Sequence, residues 1–438
     1  MRLLRLWAQR RDRPERFRLL RQLLAQQRLD RERLSRRQQE DFSAIVRFAA
    51  THTDYYARRF AGRVGAGTHP IDPETLPLLT RADVVRDRQA MLAREVDRDQ
   101  VKVGHTGGST GTPMTFYYDD AKHELMLAGM MRGFMMSGWR PGQKVLYLWG
   151  AERDAASGGV FAHRGNRLLD AEKTLAAFEL SPDRLRTWAQ TVSDWRPVLL
   201  YGYASVLAEL ARFVVDNRLA VPRSLIGVYS TAEPLQAWQR ELMQQAFGCQ
   251  VFDQYGCREV PNIAWECRAG NMHVFSDMVR LESVVIDGQD RLVVTSLTNR
   301  LMPFIRYDVG DTGRLLDTEC DCGLPFPLMR TEVCRHNDLI VTPDGRRLHP
   351  AYFNRLLYGS SEIRRYQWVQ TAVDCIALNL EGERRLPDSR VGAIRAALQR
   401  DVDPRVNFAV NYLDRIPRTA SGKHRFVIGL GGHAADTG

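Results

Sequence analysis

Between Val101 and about Val333 the sequence alternates short, apolar, β-rich runs with longer runs of helical periodicity, and that alternation constrains the fold more than any other feature. KVLYLW, PVLLYGY, LIGVYS and CQVFDQYG read as strands, while SVLAELARFVVDN and PLQAWQRELMQQAF carry apolar residues at helical spacing. Strands separated by helices pair in parallel, with the helices layered on the sheet, so an α/β domain is expected. The segment MVRLESVVIDGQDRLVVTSLT differs, because two strand-like runs meet at IDGQDR in hairpin fashion. It predicts an antiparallel subdomain within a large multi-sheet domain.

After Arg335 the pattern restarts: NDLIVTPDGRRLHP reads as a hairpin, YQWVQ and DCIALNL as strands, VGAIRAALQR as a helix and VNFAVNYL as a further strand. This is the pattern of a small α+β domain. Before Val101, THPIDPETLPLLTRADV has the composition of a connector leading into a short helix.

Charge is distributed unevenly. Lysine and arginine number 62 against 52 acids, and residues 1–38 alone hold 13 arginines against 4 acids, a surplus of 9 in the total of +10. The rest of the chain is close to neutral, which argues against a nucleic-acid reader with a basic surface over its whole body. The arginine-rich arm LRQLLAQQRLDRERLSRRQQEDFSAIVRFAA keeps helical periodicity. Its basic face reads first as solvated and second as a surface for anionic lipid or a partner. The opening MRLLRLWAQRRDR does not read as a secretory signal, and no stretch of about 18 apolar residues occurs, so a cytoplasmic protein without a membrane span is expected.

Four stretches carry chemistry. In HTGGSTGTP, Gly107, Gly108 and Gly111 let backbone N–H groups approach a ligand, and Thr106, Ser109, Thr110 and Thr112 add hydroxyl donors. Such a loop suits phosphate oxygens, although it is neither a Walker loop nor a dinucleotide fingerprint. After VYSTAEP, the stretch FGCQVFDQYGCREV ends a strand at Tyr255 and Gly256, with Arg258 and Glu259 immediately after, where open α/β sheets place ligand groups. A glutamate beginning a helix beside a core tyrosine explains part of this equally well. In LMPFIRYDVGDTGRL, Asp308 and Asp311 could accept hydrogen bonds from ribose hydroxyls or simply shape an Asx turn. Finally, IPRTASGKHRF places Lys423 in a Pro/Thr/Ser/Gly loop of a chain with only five lysines, at 102, 122, 144, 173 and 423. A compact ammonium suits a movable phosphate or carboxylate contact better than a planar guanidinium does.

In this order the stretches resemble the adenylate-forming (acyl-AMP) superfamily, specifically its phenylacetate-CoA ligase-like and CapK-type branch, from about Gln39 to Arg425. The resemblance implies a phosphate loop at Thr106–Thr112 and nucleotide contacts from Ala232, Glu233, Tyr255, Gly256, Asp311 and Arg335. It further implies Mg²⁺ on Glu259 and a catalytic Lys423 delivered by a mobile C-terminal domain. The organisation it implies is a helical region at 1–100 packed on the large domain, an ATP- and substrate-binding part at 101–334, a hinge at 335–338 and the small domain at 339–438. Where the family hinge reads Gly-Arg-x-Asp-Asp, this chain has CRHND, with Asn337 and Asp338 at the pivot. The activity implied is ATP-dependent conversion of a carboxylic acid to acyl-AMP, then transfer to a thiol such as coenzyme A. Delivery of AMP to a hydroxyl and amide formation with an amine are the alternatives within the fold; a non-catalytic nucleotide-binding scaffold is the alternative outside it. MMRGFMMSGW and LYLWGAERDAASGGVFAH suggest an apolar or aromatic acid pocket, or else core packing. Neither the acid nor the oligomeric state, a homodimer included, can be read.

Among seven cysteines, WECRAGNMH and ECDCGLPFP bring Cys267, His273, Cys320 and Cys322 into a pattern that suits a structural Zn²⁺ site, with similar positions in CapK-type relatives. Unpaired buried thiols are the alternative. Cys249, Cys257, Cys334 and Cys375 read as packing or surface residues.

Overall fold

The computed structural model describes residues 1–149 and 171–430, apart from 66, 68, 106–113, 178–181, 287, 336–339, 345–346, 349–352, 354–355, 358–362, 364, 383–384 and 418–424. The described residues divide into two compact units, one formed in the main up to Thr331 and the other from Glu332 onward.

The first unit opens with helices α1 (Arg2–Asp12), α2 (Pro14–Gln26), α3 (Arg31–His52) and α4 (Asp54–Arg59). Local chemistry sets their limits. Pro14 starts α2, where a missing N–H costs nothing. Asp30 caps α3 by accepting from Arg33 N at 2.8 Å, and Thr53, at the C-terminal end of α3, caps α4 through Tyr56 N at 3.2 Å. Helix α5 (Arg81–Asp87) begins with a capping box between Thr80 and Asp83. The strands β1 (Lys102–His105) and β2 (Thr115–Tyr118) pair antiparallel with His105 opposite Thr115. The glycine loop that connects them lies outside the described residues.

One eleven-stranded sheet dominates the unit. Its strands are β3 (Val145–Trp149), β4 (Glu172–Ala176), β5 (Leu199–Tyr203), β6 (Gly227–Thr231), β7 (Gln250–Tyr255), β8 (Ala264–Glu266), β9 (Met272–Val274), β10 (Val279–Ile286), β11 (Gln289–Ser296), β12 (Tyr307–Leu316) and β13 (Leu328–Arg335). They run in the order β10-β11-β12-β13-β9-β8-β7-β6-β5-β3-β4. From β4 to β7 all neighbours are parallel, and from β7 through β8 and β9 to β13 they are antiparallel. The hairpin expected at IDGQDR is present as β10 and β11. Its strands continue the sheet that the parallel strands begin.

Side chains alternate between two apolar layers. Leu146, Leu200 and Val228 face helices α7 (Pro182–Trp195), α8 (Ala204–Asp216) and α9 (Ala237–Phe247) through Trp188, Leu207 and Met243. Tyr147, Tyr201 and Tyr229 face the other way, toward helix α6 (Asp120–Met136). There Phe134 meets the rings of Tyr147, Tyr201, Tyr229, Trp139 and Trp265 with centroids 5.4–6.4 Å apart. From the MMRGFMMSGW run, Met130, Met131, Phe134 and Trp139 are all buried and pack into this core. Helix α6 can lie this close because a Cβ on Gly133 would fall 2.2 Å from the Trp265 ring, and one on Gly129 would fall 2.7 Å from Asn262.

Arg132 of the same helix is fully buried and pairs with the equally buried Asp277 at 2.5 and 2.8 Å. Its guanidinium lies 3.9 Å from the Phe275 ring centroid and 4.9 Å from that of Phe326, and it also donates to Leu23 O of α2. Charge, stacking and hydrogen bonding together compensate a desolvation that an isolated guanidinium would not survive.

The second unit holds the four-stranded sheet β18-β17-β16-β19, where β16 is Arg365–Ala372, β17 Cys375–Glu381, β18 Asn407–Leu413 and β19 Val427–Ile428. Helix α10 (Asp388–Asp401) packs on it through Ile394 and Leu398, beside Trp368, Leu378 and Phe408. The hairpin read in NDLIVTPDGRRLHP is the ribbon β14 (Ile340–Val341) and β15 (Arg347–Leu348).

Candidate functional site

The parallel strands β5, β6 and β7 end together, and the turns at their C-terminal ends carry most of the described site. After β6 the chain turns at Ala232, whose φ of 65° is uncommon for a residue with a Cβ. Glu233, buried, accepts from Ser205 N at 2.8 Å and from Ser205 Oγ at 3.1 Å. Its negative charge therefore meets the positive end of α8 and fixes the loop there. Thr231 sits opposite Gln254 in the β6–β7 register; its hydroxyl donates to Gln254 Oε1, and the Tyr201 hydroxyl reaches the same oxygen at 3.3 Å. Gln254 Nε2 donates in turn to Tyr255 O at 2.9 Å. This buried polar chain holds the strand ends in register, and no motif in the sequence marks Tyr201 or Gln254 for that role.

From the last residue of β7, Tyr255, to Glu259 runs the turn expected to face a ligand. Glu259 is 5% exposed, and Tyr307 Oη donates to its Oε1 at 3.2 Å. Burial, with the Glu259 charge beside it, pushes the Tyr307 hydroxyl far above its ordinary value, so it stays a proton donor. From the other side Lys122 of α6 donates to the Glu259 carbonyl. Burial lowers the Lys122 ammonium to about 8, opposed by the neighbouring Cys257, Glu259 and Asp119. Arg258 Nη1 donates to His105 O at 3.1 Å, across to the last described residue before the glycine loop. The site thus has one buried carboxylate held by a phenol and a backbone held by a buried lysine. Lys122 and Tyr307 carry no signal in sequence beyond the scarcity of lysine.

The two aspartates of RYDVGD are separated by their environments. Asp308 pairs with Arg291 Nη2 at 2.9 and 3.0 Å, while Asp311 lies three residues further along β12 and is half-buried. Arg306 takes a φ of 48° and sends its guanidinium to Glu282 and Leu76 O, which makes it a structural residue. Arg335 is the last residue of β13. Thr106, Gly107, Gly108, Ser109, Thr110, Gly111, Thr112, Asn337, Asp338 and Lys423 lie outside the described residues.

The four residues expected to bind a metal do converge: donor atoms of Cys267, His273, Cys320 and Cys322 all lie within 4.8 Å of one another. Cys267 Sγ and Cys320 Sγ are 3.7 Å apart, and Cys322 Sγ is 3.2 Å from His273 Nε2. Zn–S bonds of about 2.3 Å place tetrahedral sulfurs about 3.8 Å apart, so the spacing suits a zinc ion and is far too long for a disulfide. His273 Nδ1 lies 3.3 Å from Phe326 O, which turns Nε2 toward the thiols, and Asn271 Nδ2 donates to Cys320 Sγ at 3.3 Å. Burial lowers the His273 pKa, in the direction of the neutral ring that a metal ligand requires. The cluster joins the β8–β9 segment to the chain between β12 and β13.

Comparison with known proteins agrees with this architecture. The sequence profile of the CapK C-terminal domain matches residues 340–429. Protein CapK of Staphylococcus aureus is 24% identical over 371 residues, 81% of this chain and 79% of that protein. Phenylacetate-coenzyme A ligase of Thermus thermophilus is 25% identical over 452 residues, 92% of this chain and 98% of that protein. Among solved structures, 2-hydroxyisobutyryl-CoA ligase in complex with 2-HIB-AMP superposes with a TM-score of 0.70 at 19% identity, over 89% of this chain and 88% of that one. An anthranilate CoA ligase in complex with anthranoyl-AMP gives 0.56 at 16% identity, over 76% and 66%. The chain therefore has the fold of the adenylate-forming CoA ligases and is a sequence relative of CapK and the phenylacetate-CoA ligases, with a CapK C-terminal domain at 340–429.

Proposed function

We propose that the protein joins a carboxylic acid to coenzyme A at the expense of ATP. A carboxylate oxygen attacks the α-phosphorus and pyrophosphate leaves; the thiol sulfur then attacks the acyl carbon, forming the thioester as AMP leaves. One observation carries this reading: similarity to a phenylacetate-CoA ligase extends over 92% of this chain and 98% of that protein. The sequence itself carries, in order, the glycine loop, STAEP, DQYGCRE, RYDVGD and SGK.

Each residue group then has a task. Thr106 to Thr112 would receive the β- and γ-phosphates on backbone N–H groups and hydroxyls. Ala232, Glu233, Tyr255 and Gly256 would border the base, and Asp311 and Arg335 the ribose. Glu259 would hold Mg²⁺, which neutralises phosphate charge. Its buried carboxylate, with Tyr307 as the described side chain that hydrogen-bonds it, fits that role. Lys423 would bridge carboxylate and phosphate during attack, and rotation about Arg335 to Asp338 would withdraw it for thioester formation. A structural Zn²⁺ on Cys267, His273, Cys320 and Cys322 would brace the sheet and take no part in the chemistry. ATP and coenzyme A would be drawn from the cytoplasm, and among the described residues no helix is long and apolar enough to cross a membrane.

Pyrophosphate release measured over aryl, fatty and amino acids, followed by mass analysis of the products, tests the reading. A thioester together with free AMP supports it. AMP retained on a hydroxyl acceptor, or an amide product, replaces it with the corresponding alternative. Lys423→Ala should suppress pyrophosphate release by on the order of 10²-fold or more while ATP still binds; adenylation that survives this change overturns the role of Lys423.

A further inference from the structure

Ten large apolar side chains stand exposed among the described residues, and four of them fall in the first seven positions: Met1 at 66%, Leu3 at 72%, Leu4 at 55% and Trp7 at 59%. Helix α1 is not a loose tail. Ala8 is buried and Leu6 half-buried against the body, and Arg2 O and Leu6 N lie so close to Gly142 that a Cβ there would meet them at 2.6 and 3.0 Å. At about 100° per residue, Leu3, Leu4 and Trp7 share the outward arc, and Arg10 and Arg11 fall on that same arc. The Arg11 guanidinium stacks 4.9 Å from the Trp7 ring. An apolar patch bearing a tryptophan and flanked by arginines is therefore presented on a seated helix.

We propose that α1 docks the protein on an anionic phospholipid surface, with Leu3, Leu4 and Trp7 entering the boundary between headgroups and acyl chains and the arginines meeting lipid phosphates. The helix is too short to span a bilayer and has the composition of one that lies in its plane. Charge selects this occupant over a second copy of the chain. A two-fold contact through α1 would bring Arg10 and Arg11 against their own copies, and the helix carries one acid, Asp12, which already pairs with Arg11. An anionic bilayer supplies the missing negative charge and an apolar layer together. The inference is independent of the acyl-CoA ligase reading.

The test is sedimentation of the full chain with vesicles of pure phosphatidylcholine and of equimolar phosphatidylcholine and phosphatidylglycerol. The wild type should pellet with the anionic vesicles and not with the neutral ones. Leu3→Glu combined with Trp7→Glu, and separately Arg10→Glu combined with Arg11→Glu, should each weaken that binding by on the order of tenfold or more. Both pairs of side chains are exposed and outside the proposed site, so ATP-dependent activity in solution should be unchanged. Equal pelleting with both vesicle types, or anionic binding untouched by either variant, overturns the proposal. So does a dimer in light scattering that the Leu3/Trp7 variant dissolves while the wild type ignores vesicles.

Discussion

Lys122 shows how a single buried cation can organise the turn at Glu259. It is one of five lysines, it is buried, and it donates to the carbonyl of Glu259 while Tyr307 holds the carboxylate of the same residue. Lys122→Met would strand that carbonyl, a loss of about 1–3 kcal/mol, and release the turn. Pyrophosphate exchange should fall at least about tenfold, and Lys122→Arg should not rescue it because the planar guanidinium is larger and places its donors elsewhere. Asp253 offers a pH signature. Burial pushes its carboxyl up to about 7, the Glu266 charge adds to this, and the Ser230 hydroxyl opposes it. A folded value above the unfolded one means that the contribution is complete below about pH 4 and is lost as pH rises to about 7. Asp253→Asn should therefore stabilise the protein above pH 7, by ~4 kcal/mol at most, and have little effect near pH 4, as thermal melts across pH will report. The scarcity of lysine marks Lys423 in the sequence, and it applies equally to Lys122. For Lys122 the signal is masked, because a lysine in the first turn of a helix reads as solvated until the packing around it is known.

Helix α6 and the Cys/His cluster each stand or fall as assemblies. Gly133 lies against the Trp265 ring, so Gly133→Ala must displace either the helix or the indole. Such overpacking costs typically 1–3 kcal/mol, about 2–4 °C in Tm for a domain of this size, and melting curves will check it. For the cluster, the purified protein should carry about one zinc per chain by elemental analysis, and Cys322→Ser should lose the metal and lower Tm. A strong chelator should reproduce that lowering, and added zinc should reverse it. Strand and helix patterns were legible because burial leaves a period in the sequence: PVLLYGY, LIGVYS and CQVFDQYG are β5, β6 and β7, and IDGQDR is a hairpin turn. The joining of the antiparallel strands to the parallel ones was not legible. Pairing of β9 with β13 unites segments some fifty residues apart, and no local pattern records such a partner. The grouping of Cys267, His273, Cys320 and Cys322 was legible for the opposite reason, since cysteine and histidine chemistry singles them out whatever the distance between them.

The second unit has its own core of Trp368, Leu378, Leu398 and Phe408, separate from the apolar cluster of the first. A chain ending at Arg335 should therefore fold cooperatively and retain ATP binding, while losing pyrophosphate release with the departure of Lys423. Calorimetry with ATP alongside the exchange assay distinguishes this from simple misfolding. The strands and helix of the second unit follow the patterns read after Arg335. What sequence could not supply is the tether between Arg258 and the carbonyl of His105, which crosses 153 positions. Because of it, the entrance of the glycine loop and the Glu259 turn share a mechanical link. Whatever quiets one should quiet the other, and backbone amides from Tyr255 to Glu259 should exchange hydrogen more slowly once a triphosphate occupies the loop.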